Sequence, residues 1–350
     1  MKKITYLESD KELERRVRNV LQGESKGNWV LYTKTIVLLT LILTVYSLPF
    51  FFSLPLWLLF LLAAVEGLLM AGVGMGIMHD ANHGSFSKKQ WVNSLFSSSL
   101  YLVGGYVPNW RMQHNVIHHG YTNITHSDDD LDTHDLIRFS PLQPLKKQHR
   151  YQAWYAPFLY SIMTLYWCTS KDFTQAYRYY KEGRKKFQNI RFHLFMVAIS
   201  KIAYHLFWVV VPLLFWKTSW VGTLLFFFCM HLSAGLFLAL VFQPAHVSSL
   251  TEFPEDMEFK NRQEHQILTS CNYAVGNKFV TWITGGLNYQ IEHHLFPNIS
   301  HVHYPKIAPI VKKYCEEKNL PYNNVGGFVK AVIEHFKYLS RLGSAQRLSV

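Results

Sequence analysis

Histidines recur at a spacing of four residues: His79 and His83 in HDANH, then His114 and His118 in HNVIHH, a stretch that also holds His119. A third cluster, QIEHH, sets Gln290 four residues before His294 and places His293 beside it. Residues four apart share one face of a helix, roughly 6 Å from each other, so each pair can aim two side chains at a common point. Imidazole suits iron, zinc, copper and nickel. Seven clustered histidines exceed the four ligands of a structural zinc, which argues for two metals. A ligating histidine usually donates its other N–H to an acceptor, and Asp80, Asp128, Asp129, Asp130 and Glu292 are the carboxylate candidates. The run SDDDLD reads equally well as a solvated acidic loop. His126, His134, His149, His265, His301 and His303 match no ligand position and are expected to be ordinary surface or core residues.

These clusters need elements to bring them together, and the composition points to a membrane. Of 350 residues, 49% are hydrophobic and only 17% charged, against roughly 25% charged in soluble domains. A membrane helix needs about 20 mostly apolar residues. Residues 29–52, 54–78, 192–216 and 220–242 meet that length, paired into two tight hairpins at FFSLP and WKTSW. Residues 151–170 are too short and too rich in Tyr and Trp, so they are expected to lie in the interface without crossing. Basic residues crowd the N-terminal segment, residues 79–191 and the tail after 243, whereas the hairpin tips carry only Lys217. By the positive-inside rule both termini and the long middle segment are cytosolic. That topology brings all three histidine clusters to one membrane face.

The expected fold is therefore an all-α integral membrane protein: four transmembrane helices in two hairpins, interfacial helices, and a cytosolic helical cap around a histidine-rich dimetal site. One domain covers 1–350, divided into a cytosolic N-terminal segment (1–28), the first hairpin (29–78), a cytosolic and interfacial segment (79–191), the second hairpin (192–242) and the cap (243–350). No cleavable signal is expected in the polar first 28 residues. Four cysteines without a C-x-x-C pair suggest neither a disulfide framework nor a thiolate metal site. The net charge of +12 is spread between apolar runs, which points to anionic lipid or a phosphorylated substrate and not to nucleic acid.

The stretches MHDANHGSFS, WRMQHNVIHHGYTN, VFQPAH and GGLNYQIEHHLFPNISHVHYP resemble the membrane fatty-acid desaturases over nearly the whole chain. Glutamine at the head of the third histidine box is similar to the front-end subgroup, which desaturates between an existing double bond and the carboxyl end, and the text looks most like bacterial acyl-CoA desaturases of the linoleoyl-CoA type. The resemblance implies two iron ions, with zinc a possible substitute during preparation, and O2 as cosubstrate. It adds His246 to the ligand set, giving eight histidines, with Gln290 reaching metal weakly or through water. Related acyl-CoA desaturases carry an asparagine four residues before that extra histidine; here the position is Phe242. The implied reaction puts a cis double bond into a long acyl chain carried by coenzyme A or a lipid, with electrons from a separate ferredoxin or b5-type cytochrome, in the bacterial cytoplasmic membrane. No His-Pro-Gly-Gly motif of a fused haem domain is present. The basic run Lys181 to Lys186 suits an acidic donor, coenzyme A phosphates or anionic lipid.

Small residues at Gly72, Gly74 and Gly76 leave room for an acyl chain or a neighbouring helix. Glu66, His205 and His231 interrupt three spans at similar depth, Glu66 roughly 20 Å from His79, so at least two of them are expected to meet in a buried polar contact. A hydroxylase or acetylenase on the same scaffold is the nearest alternative. A histidine-rich metal transporter would carry its polar residues midway along the spans, and a zinc protease would need H-E-x-x-H, which does not occur.

Overall fold

The computed structural model describes residues 8–256 and 261–344, and every extended element among them is helical. Helix α1 is Glu8–Leu21, α2 is Trp29–Phe51 and α3 is Leu56–Asn82. Residues 107–121 form α4, residues 152–181 form α5, Ile190–Phe215 is α6 and Trp220–His246 is α7. The cap adds α8 (Arg262–Leu268), α9 (Gln290–Leu295), α10 (Tyr304–Glu317) and α11 (Phe328–Leu342).

Four helices, α2, α3, α6 and α7, are long and apolar enough to cross a membrane, as expected. Their starts are chemically marked. Asn28 caps α2 by accepting from the Val30 N–H, Ser219 caps α7 by accepting from Gly222, and Pro55 precedes the first turn of α3. The hairpin tips touch, with the Lys217 N–H donating to the Pro49 carbonyl at 2.7 Å and its ammonium to Phe51 O at 3.1 Å. Where α3 crosses α7, Gly67 lies so close to Met230 and Ala234 that a Cβ would stand 2.9 Å from the Ala234 nitrogen. No side chain fits at that crossing.

Both α3 and α7 run past the apolar ends read from sequence, to Asn82 instead of 78 and to His246 instead of 242. Hydropathy ends where the histidines begin, but those histidines are buried, so the helices continue through them. Helix α3 widens into a π turn over Gly74–Met78 immediately before His79, and α4 does so over Arg111–His118. Such π turns gather at functional sites because they rotate the following side chains relative to the regular helix.

The segment expected in the interface, residues 151–170, falls largely within α5 and is not among the helices long and apolar enough to cross a membrane. Helix α5 packs along α7: Ala156 joins Ala239 in one apolar cluster, the Tyr160 and Ser161 carbonyls abut Gly235, and Thr164 donates to the His231 carbonyl at 2.9 Å. His231 lies fifteen residues, roughly 22 Å, before His246. At the far end of α5 Lys201 of α6 pairs with Asp172 and donates to the Gly104 and Trp167 carbonyls, tying α5 to the second hairpin.

Among the described residues no hydrogen bond or ion pair joins Glu66, His205 and His231 to one another, the contact expected for at least two of them. His231 is bonded instead to Thr164 at 3.0 Å and to the Tyr204 hydroxyl at 2.7 Å, while His205 shares a 2.8 Å hydrogen bond with the Lys201 carbonyl. Glu66 is fully buried and neither carboxylate oxygen has a hydrogen-bond partner among the described residues. Depth alone pointed to a layer, but the local partners of α5 and α6 satisfied the two histidines first.

The cap closes over the histidine-bearing helix ends. Leu13, Val17 and Leu21 of α1 pack on Ile307, Val311 and Tyr314 of α10, and α11 packs Tyr338, Leu339 and Leu342 against α5 and Val247.

Candidate metal centre

The eight histidines His79, His83, His114, His118, His119, His246, His293 and His294 meet in one buried cage where α3, α4, α7 and α9 converge. In the first group, His79, His83, His114 and His293 each offer a nitrogen within 4.8 Å of the others. In the second, His118, His246 and His294 do the same, and His119 joins His293 and His294 in a third set between them. Ring centroids of His79 and His293 are 4.5 Å apart, and those of His118 and His246 4.7 Å.

The donor set fits metal ions. The Nε2 atoms of His83, His118, His119, His293 and His294 are buried with no hydrogen-bond partner among the described residues. Buried nitrogen left unpaired is costly, and five in one cage make sense when lone pairs face cations. The outer nitrogens are anchored: His118 Nδ1 to Asp128 at 3.0 Å, His294 Nδ1 to Gln266 Oε1 at 2.6 Å, His293 Nδ1 to the Tyr304 hydroxyl at 3.1 Å and His246 Nδ1 to the Thr269 carbonyl at 3.2 Å. Each such bond fixes a ring's orientation and directs the opposite nitrogen inward.

Burial and the neighbouring imidazoles push His114, His119, His293 and His294 far below the usual histidine range. They stay neutral, which is the form that binds metal. His118 goes the other way, because Asp128 and Asp130 outweigh the cost of its burial.

The carboxylate candidates divide. Asp128 and, at 3.3 Å, Asp130 stand on His118. Asp80 bonds Ser300 and His301 instead, and Asp129 is taken by Arg178 and Tyr179. Glu292 accepts from Asn272 and Tyr322, and burial pushes it up to about 7 although both donors oppose that shift. All three pin loops or helices around the cage and hydrogen-bond none of the eight histidines. The acidic run is thus not a solvated loop: Asp128 is buried, and it also accepts from the Asn123 N–H at 2.9 Å. His301, assigned no role from its position, is the buried partner of Asp80.

Gln290 points its amide at His246, Nε2 to Nε2 at 2.8 Å, and its Oε1 has no partner among the described residues. Phe242 places its ring 5.3 Å from His118 and 5.0 Å from His246, an apolar wall where an asparagine would supply an amide. Gln266, Thr269 and Tyr304 were not legible as supports. A glutamine, a backbone carbonyl and a tyrosine carry no signal of their own, and only their contacts across the fold reveal them.

A cavity of about 590 Å³ opens beside the cage. His79 and His114 line it, while His118, His246 and His294 do not. Its wall is mostly apolar, from Met75, Ile162, Met163 and Leu238, and Gly74 adds no side chain.

The fatty acid desaturase family model matches residues 55–326. The sn-1 linoleoyl-lipid 6-desaturase of Arthrospira platensis is 33% identical over 95% of this chain and 92% of its own length. The enzyme of the same name from Synechocystis is 28% identical, covering 91% of this chain and 90% of the relative. The acyl-lipid (8-3)-desaturase of Physcomitrium patens is 34% identical over 85% of this chain, which spans 63% of that longer protein.

Proposed function

The chain belongs to the fatty acid desaturase family, and from that premise we propose that its eight caged histidines hold two iron ions beside the acyl-binding cavity. The protein is an integral membrane fatty acid desaturase, an oxidoreductase. The observation that supports the assignment of the site is the set of orphaned Nε2 atoms gathered in one buried cage, two of whose other rings, His79 and His114, line an apolar cavity. Side chains alone do not remove hydrogen from unactivated methylenes, so bound iron supplies the redox chemistry with O2. The balance is two hydrogens from adjacent methylenes, two further protons and two electrons, with O2 leaving as two waters.

The protein's own residues do the rest. Asp128, Gln266, Thr269 and Tyr304 hold the rings in place, and Met75, Ile162, Met163 and Leu238 keep the chain dry and extended beside His79 and His114. Gln290 is a weak or water-linked ligand. The substrate is an acyl group of a membrane glycerolipid, the carrier class named in the relatives above, oxidised on the carboxyl side of an existing double bond. Electrons come from a separate ferredoxin or b5-type cytochrome. The whole chain forms one domain of the bacterial cytoplasmic membrane with both termini cytosolic, a reading supported by the basic residues around the cage.

The test is expression in a host of defined lipid composition with mapping of double-bond positions. A new cis alkene that disappears in His118→Ala is expected. An alcohol or alkyne in its place, or an unchanged product from the variant, would contradict the reading.

A further inference from the structure

One cation on the cavity wall has no part in the cage. Lys171 ends a π turn, Trp167–Lys171, in α5 and lines the cavity together with Trp167 and Gln175. Its ammonium lies 4.6 Å from the Trp167 ring centroid. Asp130, Asp172 and Asp129 are near enough to act on it electrostatically, yet each is already engaged. Arg178 and Tyr179 hold Asp129, Lys201 and Asn109 hold Asp172, and Gln113 and His118 hold Asp130. Among the described residues Lys171 has no ion pair and no hydrogen bond from its ammonium, whereas Arg178, the other basic side chain lining the cavity, is bound to Asp129. A charge left free in a largely buried position is costly unless something else meets it.

Its place relative to the cage is defined. Gln175, one turn further along α5, donates to Gln113 at 2.6 Å, and Gln113 adjoins His114 of the first histidine group. Lys171 therefore stands on the stretch of wall that leads to His114. The apolar stretch, with Ile162, Met163 and Leu238, accommodates the tail. A chain laid that way brings its carboxyl end to Lys171. Three carboxylates line the same cavity, Asp129, Asp130 and Asp132, and outnumber the cations Lys171 and Arg178, so a phosphate is repelled and the matching acceptor is an uncharged oxygen.

We infer that Lys171 donates a hydrogen bond to the carbonyl oxygen of the acyl ester or thioester and so fixes which carbon–carbon bond lies beside His79 and His114. Lys171 is then the residue that sets the position of the double bond by measuring from the carboxyl end. This inference rests on the desaturase reading above and adds the group that sets its register.

The experiment uses the full-length enzyme, reconstituted with iron, on one fatty acid presented in two forms, as a diacyl glycerolipid and as the coenzyme A thioester. KM, kcat, iron content and double-bond position are measured for wild type, Lys171→Met and Lys171→Arg. A charge-assisted hydrogen bond accounts for about a tenfold or greater change in binding. Lys171→Met is expected to keep its iron, raise KM by about that factor on the carrier that is the substrate, and spread the alkene over neighbouring positions. Lys171→Arg is expected to keep a single position with KM nearer wild type. Wild-type KM and a single unchanged position in Lys171→Met, on both carriers, would overturn the inference and leave the desaturase reading intact. If Lys171→Met fails to hold iron, Lys171→Arg decides: a well-loaded arginine variant with scattered positions also overturns it. No alkene from wild type on either carrier would remove the desaturase reading itself.

Discussion

The two histidine groups use the same side chain but stand in different surroundings. His118, His246 and His294 each have an outer nitrogen anchored, to Asp128, the Thr269 carbonyl and Gln266, and none of the three touches the cavity. Of His79, His83, His114 and His293, two line the cavity, and the first two sit on the helix end that follows the π turn of α3. In one half every ring is thus supported from behind by a hydrogen bond, with Phe242 as an apolar wall, while in the other His293 is anchored by Tyr304 and His79 and His114 border the cavity. A division follows between a histidine group enclosed by protein and a histidine group that borders the cavity.

The strongest way to break this division is to delete a ring from each half. His79→Ala and His118→Ala are both expected to lower alkene formation by at least ~100-fold, the scale on which loss of groups acting as a unit is felt. Metal analysis then sharpens the comparison: each variant should retain close to half the wild-type iron, and complete loss from either would show that the two groups are not separable. Next in size, Asp128→Asn should weaken iron binding by about 10–100-fold, as removal of a histidine's outer partner typically does. Competition with a chelator reads that loss, and it should fall on one ion only.

A substitution on the cavity side should act without moving metal. A Cβ at Gly74 would meet only Leu238, at 3.7 Å, so the position accepts a side chain that then enters the cavity. Gly74→Leu is expected to cut turnover of long chains by about tenfold, equivalent to roughly 1.4 kcal/mol, with iron content unchanged. Iron loss in this variant would count against the assignment of the cavity as acyl space.

The smallest expected effect is on pH. Burial lowers Lys171 to about 8, opposed by Asp130, Asp172 and Asp129 and reinforced by Arg178. Because the charged form binds the carbonyl, wild-type KM should be flat below that value and rise as pH passes through it. Asp172 is shared with Lys201 of α6, so the control is Lys171→Met, in which this rise should vanish while any change due to the other groups remains.

The chain's one-dimensional pattern was enough for four spans, two hairpins and the gathering of three histidine clusters on one side, because hydropathy and a spacing of four are local properties. It was enough too for Asp128 and Asp130 as candidates beside His118. Asp80, Asp129 and Glu292 looked equivalent to them, yet Ser300, Tyr179 and Tyr322 claim those three carboxylates from distant parts of the chain. His205 and His231 interrupt their spans at similar depths, yet the helices turn them toward the Lys201 carbonyl and toward Thr164 and Tyr204.

What the residues alone determined is the membrane frame and the ligand chemistry, since an apolar run must be buried in lipid and an imidazole must find a proton or a metal wherever it lies. Which acceptor holds each ring, how closely α5 leans on α7, and that the Lys171 ammonium has no ion pair or hydrogen bond among the described residues were decided only by the folded chain. A hydrogen-bonding group has a limited number of partners, and which of them are already taken depends on contacts between segments tens to hundreds of residues apart.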